Sequence, residues 1–331
     1  MEFKNVDIRT WSMLGQRGTF GVTLEKLGEE DENIVALSAD LCNTSGLDRF
    51  AAKFPSRFIN TGIAEQNLIG VAAGIADEGR IPFATTFANF AALRACEMVR
   101  HFMGYMKCNI KLVGLGAGFA MEYFGNTHYG IEDIAAIRSI PNIVILSPAD
   151  GMEVRKCVEA AVLHEGPVYI RLTGIMNQPI VHRKDFNFEI GKAFTLKDGK
   201  EILILATGSM VDRALKAAKL LETEEVSAKV IDVHTIKPFD KGLLETLAEE
   251  KLIVTVEEHS VKGGLGSTVA ELLAQYSKHS PLLTLGIGEG YIKAGDYSYM
   301  LEQHGLTAEG ISHKILKKFQ EVNEYEQFRK V

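Results

Sequence analysis

The chain has 331 residues, of which 46% are hydrophobic and 24% are charged, and this composition predicts a globular protein of two domains. Its formal net charge of −7, without any stripe of Lys or Arg, argues against a nucleic-acid binder. The first residues hold no apolar core of signal-peptide length, and no apolar run approaches the roughly 18 residues of a membrane span, so we predict a cytoplasmic location.

Short apolar runs alternate with amphipathic stretches over residues 34–172. Strands are predicted at 34–37, 58–59, 82–85, 110–113, 143–146 and 168–170, and helices at 11–29, 65–79, 89–106, 131–139 and 150–165. Asp150 is a good N-cap for the last of these helices. Because nearly continuous apolar strands alternate with helices, we predict a parallel sheet that is covered on both faces.

The alternation breaks over residues 174–191, where glycine, proline and a polar run at 182–185 are typical of a linker. A second α/β block follows, with strands predicted at 202–206, 229–233, 252–256 and 282–285 and helices at 211–223, 241–249, 266–277 and 307–320. The sequence therefore predicts two three-layer α/β domains, one at residues 1–185 and one at residues 186–331.

Glu65 follows the apolar strand run Phe58-Ile59 and opens a helix that is rich in small residues. A carboxylate in the first turn of a helix is stabilised by the helix dipole, which gives a structural interpretation beside a functional one. The segment after the next strand contains Phe87 and Phe90, whose spacing suits either core packing or a flat wall for a planar ring. The residues alone leave both pairs of interpretations open.

Five motifs in the first half resemble, in the same order, the pyrimidine-binding domain of transketolase. They are Gly62-Ile63-Ala64-Glu65-Gln66-Asn67, Thr86-Phe87-Ala88-Asn89-Phe90, Gly125-Asn126-Thr127-His128, Ile140-Pro141-Asn142-Ile143 and Pro148-Ala149-Asp150-Gly151. The segment 230–238 resembles part of the transketolase C-terminal domain. Since the resemblance covers almost the whole chain, it implies a pyrimidine-binding domain followed by a C-terminal domain of the transketolase type.

The resemblance implies a site for thiamine diphosphate. Glu65 matches the acid that hydrogen-bonds N1′ of the aminopyrimidine, Phe87 and Phe90 match residues that stack on that ring, and Asp40 matches an aspartate near the cofactor. The carboxyl proton favours the imino tautomer of the pyrimidine, whose nitrogen takes the C2 proton of the thiazolium and prepares the attack on a ketose carbonyl. The implied activity is transfer of a two-carbon ketol unit.

The chain lacks the Gly-Asp-Gly motif with which transketolases bind Mg²⁺ and the diphosphate. It therefore resembles the C-terminal subunit of a split transketolase, and this implies a separate N-terminal subunit that supplies the site for the metal and the diphosphate. We expect the cofactor at the subunit interface and a heterotetramer with two copies of each chain. We predict no metal site in this chain, because its four cysteines are scattered without a CxxC motif or a histidine at metal spacing.

The resemblance also implies a substrate pocket. Arg17, Ser45 and Arg171 match residues that bind the anionic tail of a sugar, where guanidinium groups can form bidentate bonds to an oxyanion. A surface ion pair is the alternative interpretation for either arginine. His128 matches the histidine that contacts a substrate oxygen near the reacting carbon.

Two positions depart from the family pattern. Phe124 stands where transketolases have an aspartate four residues before the substrate histidine, and Ala117 stands where they have another histidine. In the family those polar groups recognise hydroxyl groups of the sugar. Because they are missing here, we expect a non-standard sugar with an anionic tail, such as a deoxy, branched or sulfonated sugar. A glycine cluster at 263–266 precedes a predicted helix, but the resembled domain holds no cofactor, so we interpret this cluster as a tight turn.

Three alternative functions stay open. The β subunit of a 2-oxoacid dehydrogenase has the same pair of domains, although its motif usually reads Cys-Glu-Gln-Gly where this chain has Ala-Glu-Gln-Asn. A 1-deoxyxylulose-5-phosphate synthase-like activity is the second, since residues 62–66 also resemble that enzyme. The third is a non-catalytic homologue, against which the presence of Glu65, Phe87, Phe90 and His128 argues.

Overall fold

The first half of the chain forms six strands and six helices in a computed structural model that describes residues 5–244, 250–291 and 293–330. The strands are β1 (Ile34–Ser38), β2 (Phe58–Asn60), β3 (Ile81–Phe87), β4 (Lys111–Ala117), β5 (Val144–Leu146) and β6 (Val168–Thr173). The helices are α1 (Asn5–Glu30), α2 (Asp48–Lys53), α3 (Glu65–Asp77), α4 (Cys96–Met98), α5 (Asp133–Arg138) and α6 (Gly151–Leu163). Helix α4 lies between two π-helical turns, Phe90–Arg94 and Val99–Tyr105.

The second half adds a further set of strands and helices. The strands are β7 (Phe194–Lys197), β8 (Ile202–Ala206), β9 (Ala228–Asp232), β10 (Thr235–Lys237), β11 (Leu252–Ser260) and β12 (Leu282–Ile287). The helices are α7 (Met210–Thr223), α8 (Lys241–Leu244), α9 (Leu265–Leu273), α10 (Tyr297–Gln303) and α11 (Ala308–Lys330). Residues 245–249 of the helix predicted at 241–249 lie outside the described residues.

These strands form two mainly parallel sheets, which confirms the predicted α/β class. The first sheet has the order β10-β5-β6-β4-β3-β1-β2, and only β10 runs antiparallel to its neighbour. The second has the order β12-β11-β8-β9-β7, and only β7 runs antiparallel. Every residue of β1, β4, β6 and β8 is buried, as expected for parallel strands with helices on both faces. No described helix is long and apolar enough to cross a bilayer.

Strand β10 joins the two halves, because it belongs to the second half of the chain but pairs with β5 in the first sheet. Thr235 lies opposite Leu146, and Lys237 lies opposite Ile145. The strand has only three residues, and in the sequence it continues the apolar run of β9, so the pattern did not predict it. The proposed boundary between residues 185 and 186 is therefore crossed by strand pairing.

The predicted linker carries a buried histidine. The Nε2 atom of His182 lies 2.8 Å from Oδ2 of Asp232 and 3.5 Å from Oε1 of Glu153. Asp150, the N-cap of α6 as predicted, accepts the backbone N–H of His182 at 3.1 Å. Burial alone would lower the pKa of His182, but the charge of Glu153 and the hydrogen bond to Asp232 outweigh it and raise that pKa to about 11. An imidazolium therefore lies between two buried acids and ties the linker to both halves.

His182→Ala is expected to lower the free energy of unfolding by about 3 kcal/mol at neutral pH, because it removes the positive charge between two buried acids. Because the pKa of His182 is higher in the folded than in the unfolded state, its positive charge stabilises the folded state fully at pH values below the unfolded pKa. This stabilisation is lost as pH rises through the folded pKa of about 11. Urea unfolding should show a difference from wild type that shrinks at alkaline pH. The exposed control His313→Ala should show none, and a loss independent of pH would contradict the ion-pair assignment.

Candidate active site

Three candidate residues lie at or after the carboxyl ends of parallel strands, at one edge of the first sheet. Asp40 comes after β1, Glu65 comes after β2 through a short loop, and Phe87 is the last residue of β3. Neighbouring parallel strands have their carboxyl ends at the same edge, which is where open α/β sheets bind ligands. The topology therefore gathers residues that are distant in the sequence.

Glu65 is the first residue of α3, and it is only 3% exposed. The Nη1 atom of Arg94 lies 3.0 Å from Oε1 and 3.0 Å from Oε2 of this carboxylate. The same guanidinium lies on the ring of Phe90, with Cζ 3.9 Å from the ring centroid. Arg94 was not predicted as a site residue, although its position four residues after Phe90 in a helical segment indicates such a cation–π contact.

An aromatic cluster surrounds His128. The ring centroids of Phe87 and Phe90 are 5.9 Å apart, and those rings lie 5.8 Å and 5.3 Å from the imidazole of His128. Phe124 completes the cluster at 5.2 Å from the imidazole. The structure therefore brings His128 together with both phenylalanines, and it places an apolar ring at the first position that departs from the transketolase pattern.

Two buried polar atoms beside these rings have no hydrogen-bond partner within the described ranges. They are Oγ1 of Thr86 and Oδ1 of Asn89. The side-chain nitrogen of Asn89 donates to the carbonyl oxygen of Thr127 at 2.7 Å, which fixes the amide next to His128. Buried polar atoms are almost always satisfied by protein, water or a ligand, so these two atoms are free to hydrogen-bond a bound group. A buried acid, aromatic rings and free acceptors fit a planar heteroaromatic ring such as an aminopyrimidine.

Arg17 lies on α1 where the loop after β1 packs against that helix. A Cβ atom at Gly21 would lie 2.0 Å from the carbonyl oxygen of Gly46, so only glycine allows this close approach. Arg17 is half-buried and makes no hydrogen bond or ion pair with the described part of the chain. Burial lowers the pKa of Arg17, and the charge of Glu122 opposes that effect. Its guanidinium is thus available to an anion.

Ser45 and Asp40 lie in the loop after β1 and are held by hydrogen bonds of that region. The hydroxyl of the buried Ser45 donates to the carbonyl oxygen of Cys42 at 2.8 Å. Oδ1 of the exposed Asp40 accepts from Nδ2 of Asn60 at 3.0 Å. Their roles toward substrate and cofactor stay predictions.

Arg171 is enclosed by its own chain, and its expected role toward an anionic tail stays a prediction. Its side chain is 1% exposed, and Nε lies 2.8 Å and 3.1 Å from the two carboxylate oxygens of Asp133. Nη2 donates to the carbonyl oxygens of Gly130 and Glu258 at 3.0 Å and 2.8 Å. Strand β6 is buried along its whole length, so this arginine is enclosed and holds β6, α5 and β11 together.

The second half of the chain fixes the loop that precedes His128. Oε1 of Glu258 in β11 accepts the backbone N–H of Phe119 at 2.7 Å, and Oε2 accepts the hydroxyl of Tyr297 at 2.6 Å. A Cβ atom at Gly118 would lie 2.2 Å from Oε1 of Glu258, so the loop approaches this carboxylate as only glycine can. Ala117, the second departure from the family pattern, is fully buried at the start of this loop.

The glycine cluster at 263–266 forms a turn in front of α9, as interpreted from the sequence. The carboxylate of Glu257 accepts the backbone N–H groups of Leu265 and Gly266 at 2.7 Å and 2.8 Å. Burial raises the pKa of Glu257 to about 7. The place where a phosphate could bind at this helix N-terminus is taken by the chain's own carboxylate.

Two protein families match the chain in consecutive segments. Residues 13–176 match the pyrimidine binding domain of transketolase, and residues 191–311 match the transketolase C-terminal domain. This order agrees with the motifs quoted from the sequence. The predicted domain boundary falls between the two matches, and its position stays a prediction.

Similar proteins include two that are named as transketolase subunits. The chain is 39% identical over 316 residues to the 6-deoxy-6-sulfo-D-fructose transketolase subunit SqwH of Clostridium sp. strain MSTE9, which covers 95% of this chain and 96% of that one. It is 35% identical over 307 residues to one subunit of the apulose-4-phosphate transketolase of Phocaeicola vulgatus, which covers 92% and 98%. The 1-deoxy-D-xylulose-5-phosphate synthase of Caldanaerobacter subterraneus is 34% identical over 323 residues, but the match covers only 51% of that protein.

A solved structure agrees with these relatives. A split gene transketolase, described as an inactive beta4 tetramer, superposes with a TM-score of 0.83 at 43% identity and covers 92% of this chain and 98% of that one. Sequence, domain order and fold thus agree over nearly the whole length of the chain. The chain therefore belongs to the transketolase family, as a transferase subunit similar to the C-terminal sections of split transketolases.

Proposed function

We propose that this chain acts with a separate N-terminal subunit to transfer a two-carbon ketol unit between sugars in a thiamine-diphosphate-dependent reaction. The observation that carries the proposal is the buried carboxylate of Glu65, linked through Arg94 to the face of Phe90. The adjoining rings of Phe87 and His128 supply an apolar wall and a hydrogen-bonding group.

Each of these residues has a distinct task in the proposed reaction. Thiamine diphosphate, when bound, supplies the thiazolium carbon that carries the ketol unit. Glu65 would hold and exchange the proton at N1′ of the aminopyrimidine, and its burial would keep water from that proton. Phe87 and Phe90 would cover the ring, and His128 would hydrogen-bond a substrate oxygen.

A partner subunit supplies the remaining part of the proposed site. Mg²⁺ and the diphosphate would bind there, because this chain has no Gly-Asp-Gly motif. Exposed apolar side chains near the site, Ile63, Leu93, Tyr123 and Phe124, provide a surface that such a subunit can cover. We propose a cytoplasmic heterotetramer with two copies of each chain, in keeping with the inactive state described for the beta4 tetramer of the solved relative.

The proposed substrates carry an anionic tail but differ from the usual sugar phosphates. Arg17 and Ser45 stay candidates for the tail, whereas Arg171 is enclosed. Phe124 presents an aromatic ring to His128 where the family has a carboxylate, and Ala117 carries no polar group. Two relatives named for a sulfonated and an apulose substrate support a deoxy, branched or sulfonated sugar.

The assembled enzyme is expected to use xylulose 5-phosphate with a kcat/KM at least about tenfold below that for a sulfonated ketose such as 6-deoxy-6-sulfofructose. Phe124→Asp should raise the ratio in favour of xylulose 5-phosphate, because it places a hydrogen-bond acceptor beside His128. Tyr123→Asp is the matched control, since it adds the same charge at the neighbouring exposed position. Equal turnover of both sugars by wild type would contradict the proposed specificity.

A second candidate is a synthase that condenses pyruvate with an aldehyde, as 1-deoxyxylulose-5-phosphate synthases do. It is favoured by the 34% identity to such an enzyme. Consumption of pyruvate by the assembled pair, measured in the absence of any ketose donor, would select this activity. We expect no such consumption.

A further inference from the structure

Arg94 contacts the two side chains, Glu65 and Phe90, to which the proposed function assigns the pyrimidine ring. Its Nη1 atom donates to both carboxylate oxygens of Glu65 at 3.0 Å, and its Cζ atom lies 3.9 Å from the centre of the Phe90 ring. A bound aminopyrimidine needs the same two partners, the carboxyl group of Glu65, which shares a proton with N1′, and the face of Phe90. A guanidinium is likewise planar and presents N–H donors at its edge, so it satisfies both partners in the absence of the ring.

We propose that Arg94 is a built-in placeholder that closes the pyrimidine site of the free subunit and must leave before the cofactor binds. This inference rests on the proposed function and adds a residue that controls cofactor uptake. Since Arg94 and the ring compete for one site, the apparent affinity is the intrinsic affinity multiplied by the fraction of molecules in which Arg94 is displaced.

The surroundings of Arg94 allow this movement. The side chain of Arg94 is 47% exposed, whereas that of Glu65 is 3% exposed, so the arginine and not the acid is free to swing away. The carbonyl oxygen of Arg94 accepts from Nε2 of Gln66 at 3.3 Å, which keeps its backbone in place against α3. Only the side chain has to rotate.

Binding of the N-terminal partner would displace the side chain of Arg94 from Glu65. Ile63 is 76% exposed and Leu93 is 55% exposed, and both are neighbours in sequence of the residues that form the pair. Both hydrogen bonds to Glu65 come from Nη1 of Arg94. The other two nitrogen atoms of the guanidinium, Nη2 and Nε, make no hydrogen bond within the described ranges. A partner that covers this apolar surface and offers a carboxylate or carbonyl would draw the guanidinium away and open the site.

The test uses the full-length isolated chain and the uncharged pyrimidine fragment of the cofactor, 4-amino-5-hydroxymethyl-2-methylpyrimidine. Arg94→Met keeps a flexible chain over Phe90 but removes the donors, and Arg100→Ala removes an exposed arginine from the same helical segment. Fragment affinity is measured by ligand-observed NMR at neutral pH, and circular dichroism and thermal melting verify that each variant is folded.

We expect Arg94→Met to bind the fragment about tenfold more tightly than wild type, while Arg100→Ala binds as wild type does. Added salt should tighten binding to wild type, because it weakens the ion pair, and should leave Arg94→Met unaffected. A folded Arg94→Met chain that binds within twofold of wild type, or more weakly, would overturn the placeholder role.

A second measurement separates this inference from the function on which it rests. Wild type assembled with its N-terminal partner is dialysed against thiamine diphosphate and Mg²⁺. Uptake by this pair, together with unchanged fragment binding in Arg94→Met, would leave the proposed function intact and remove only the placeholder. Failure of the pair to take up the cofactor would overturn both.

Discussion

Glu65→Gln in the assembled enzyme is expected to lower kcat for ketol transfer by about 10²–10⁴-fold, the range that general acid–base groups contribute. Glutamine has nearly the shape of glutamate and still offers an oxygen to a hydrogen-bond donor. It cannot exchange the proton at N1′ of the pyrimidine, however. The loss should therefore fall on turnover more than on cofactor affinity, and steady-state kinetics with saturating thiamine diphosphate will show this.

Glu97→Gln is the matched control for this measurement. Glu97 lies on the helical segment that carries Arg94, is exposed, and makes no hydrogen bond or ion pair within the described ranges. This variant should retain wild-type turnover. A loss below tenfold in Glu65→Gln, with cofactor bound, would show that the acid does not perform the proton transfer assigned to it.

The second large effect concerns stability. Asp133→Ala is expected to lower the free energy of unfolding by about 3–5 kcal/mol, because it leaves the guanidinium of Arg171 buried without a counter-charge. The hydroxyl of Tyr169 also loses its acceptor, Oδ2 of Asp133 at 2.7 Å. Urea unfolding followed by circular dichroism measures the change, and the exposed surface variant Glu321→Ala should stay within about 0.5 kcal/mol of wild type.

The same pair decides between the two roles of Arg171. If this arginine held the tail of a sugar, Arg171→Met would raise KM for the substrate and leave the unfolding transition almost unchanged. The enclosed position predicts the opposite, namely that Arg171→Met lowers the free energy of unfolding. An Asp133→Ala loss below about 1 kcal/mol would contradict the structural role.

Helices, strands and caps that depend on neighbouring residues could be predicted from the sequence. The apolar runs of β1, β4 and β8 are long enough to mark buried strands by themselves, and the loop between β2 and α3 is short enough to place Glu65 at the helix start. Asp150 was recognised as an N-cap, because such residues act through neighbouring backbone groups. The motifs around Phe87, Phe90 and His128 indicated one site, and the fold brings these three rings together.

Contacts between side chains that are distant in the sequence could not be predicted from such local patterns. Arg171 looked accessible because it is charged, but its counter-charge, Asp133, lies 38 residues earlier and is buried beside it. His182 stood in a polar run that indicated a linker, whereas Glu153 and Asp232, one from each half of the chain, enclose it. Arg94 was missed because its pairing with Glu65 depends on how α3 packs against the segment that follows β3.

The most direct measurement is cofactor uptake by this chain assembled with the N-terminal subunit. Equilibrium dialysis with thiamine diphosphate and Mg²⁺ should give one bound cofactor per pair of chains, and a crystal structure of that complex should place N1′ of the pyrimidine within hydrogen-bond distance of Glu65. An assembled pair that takes up no thiamine diphosphate, or that binds its pyrimidine away from Glu65, would contradict the proposed role of this subunit.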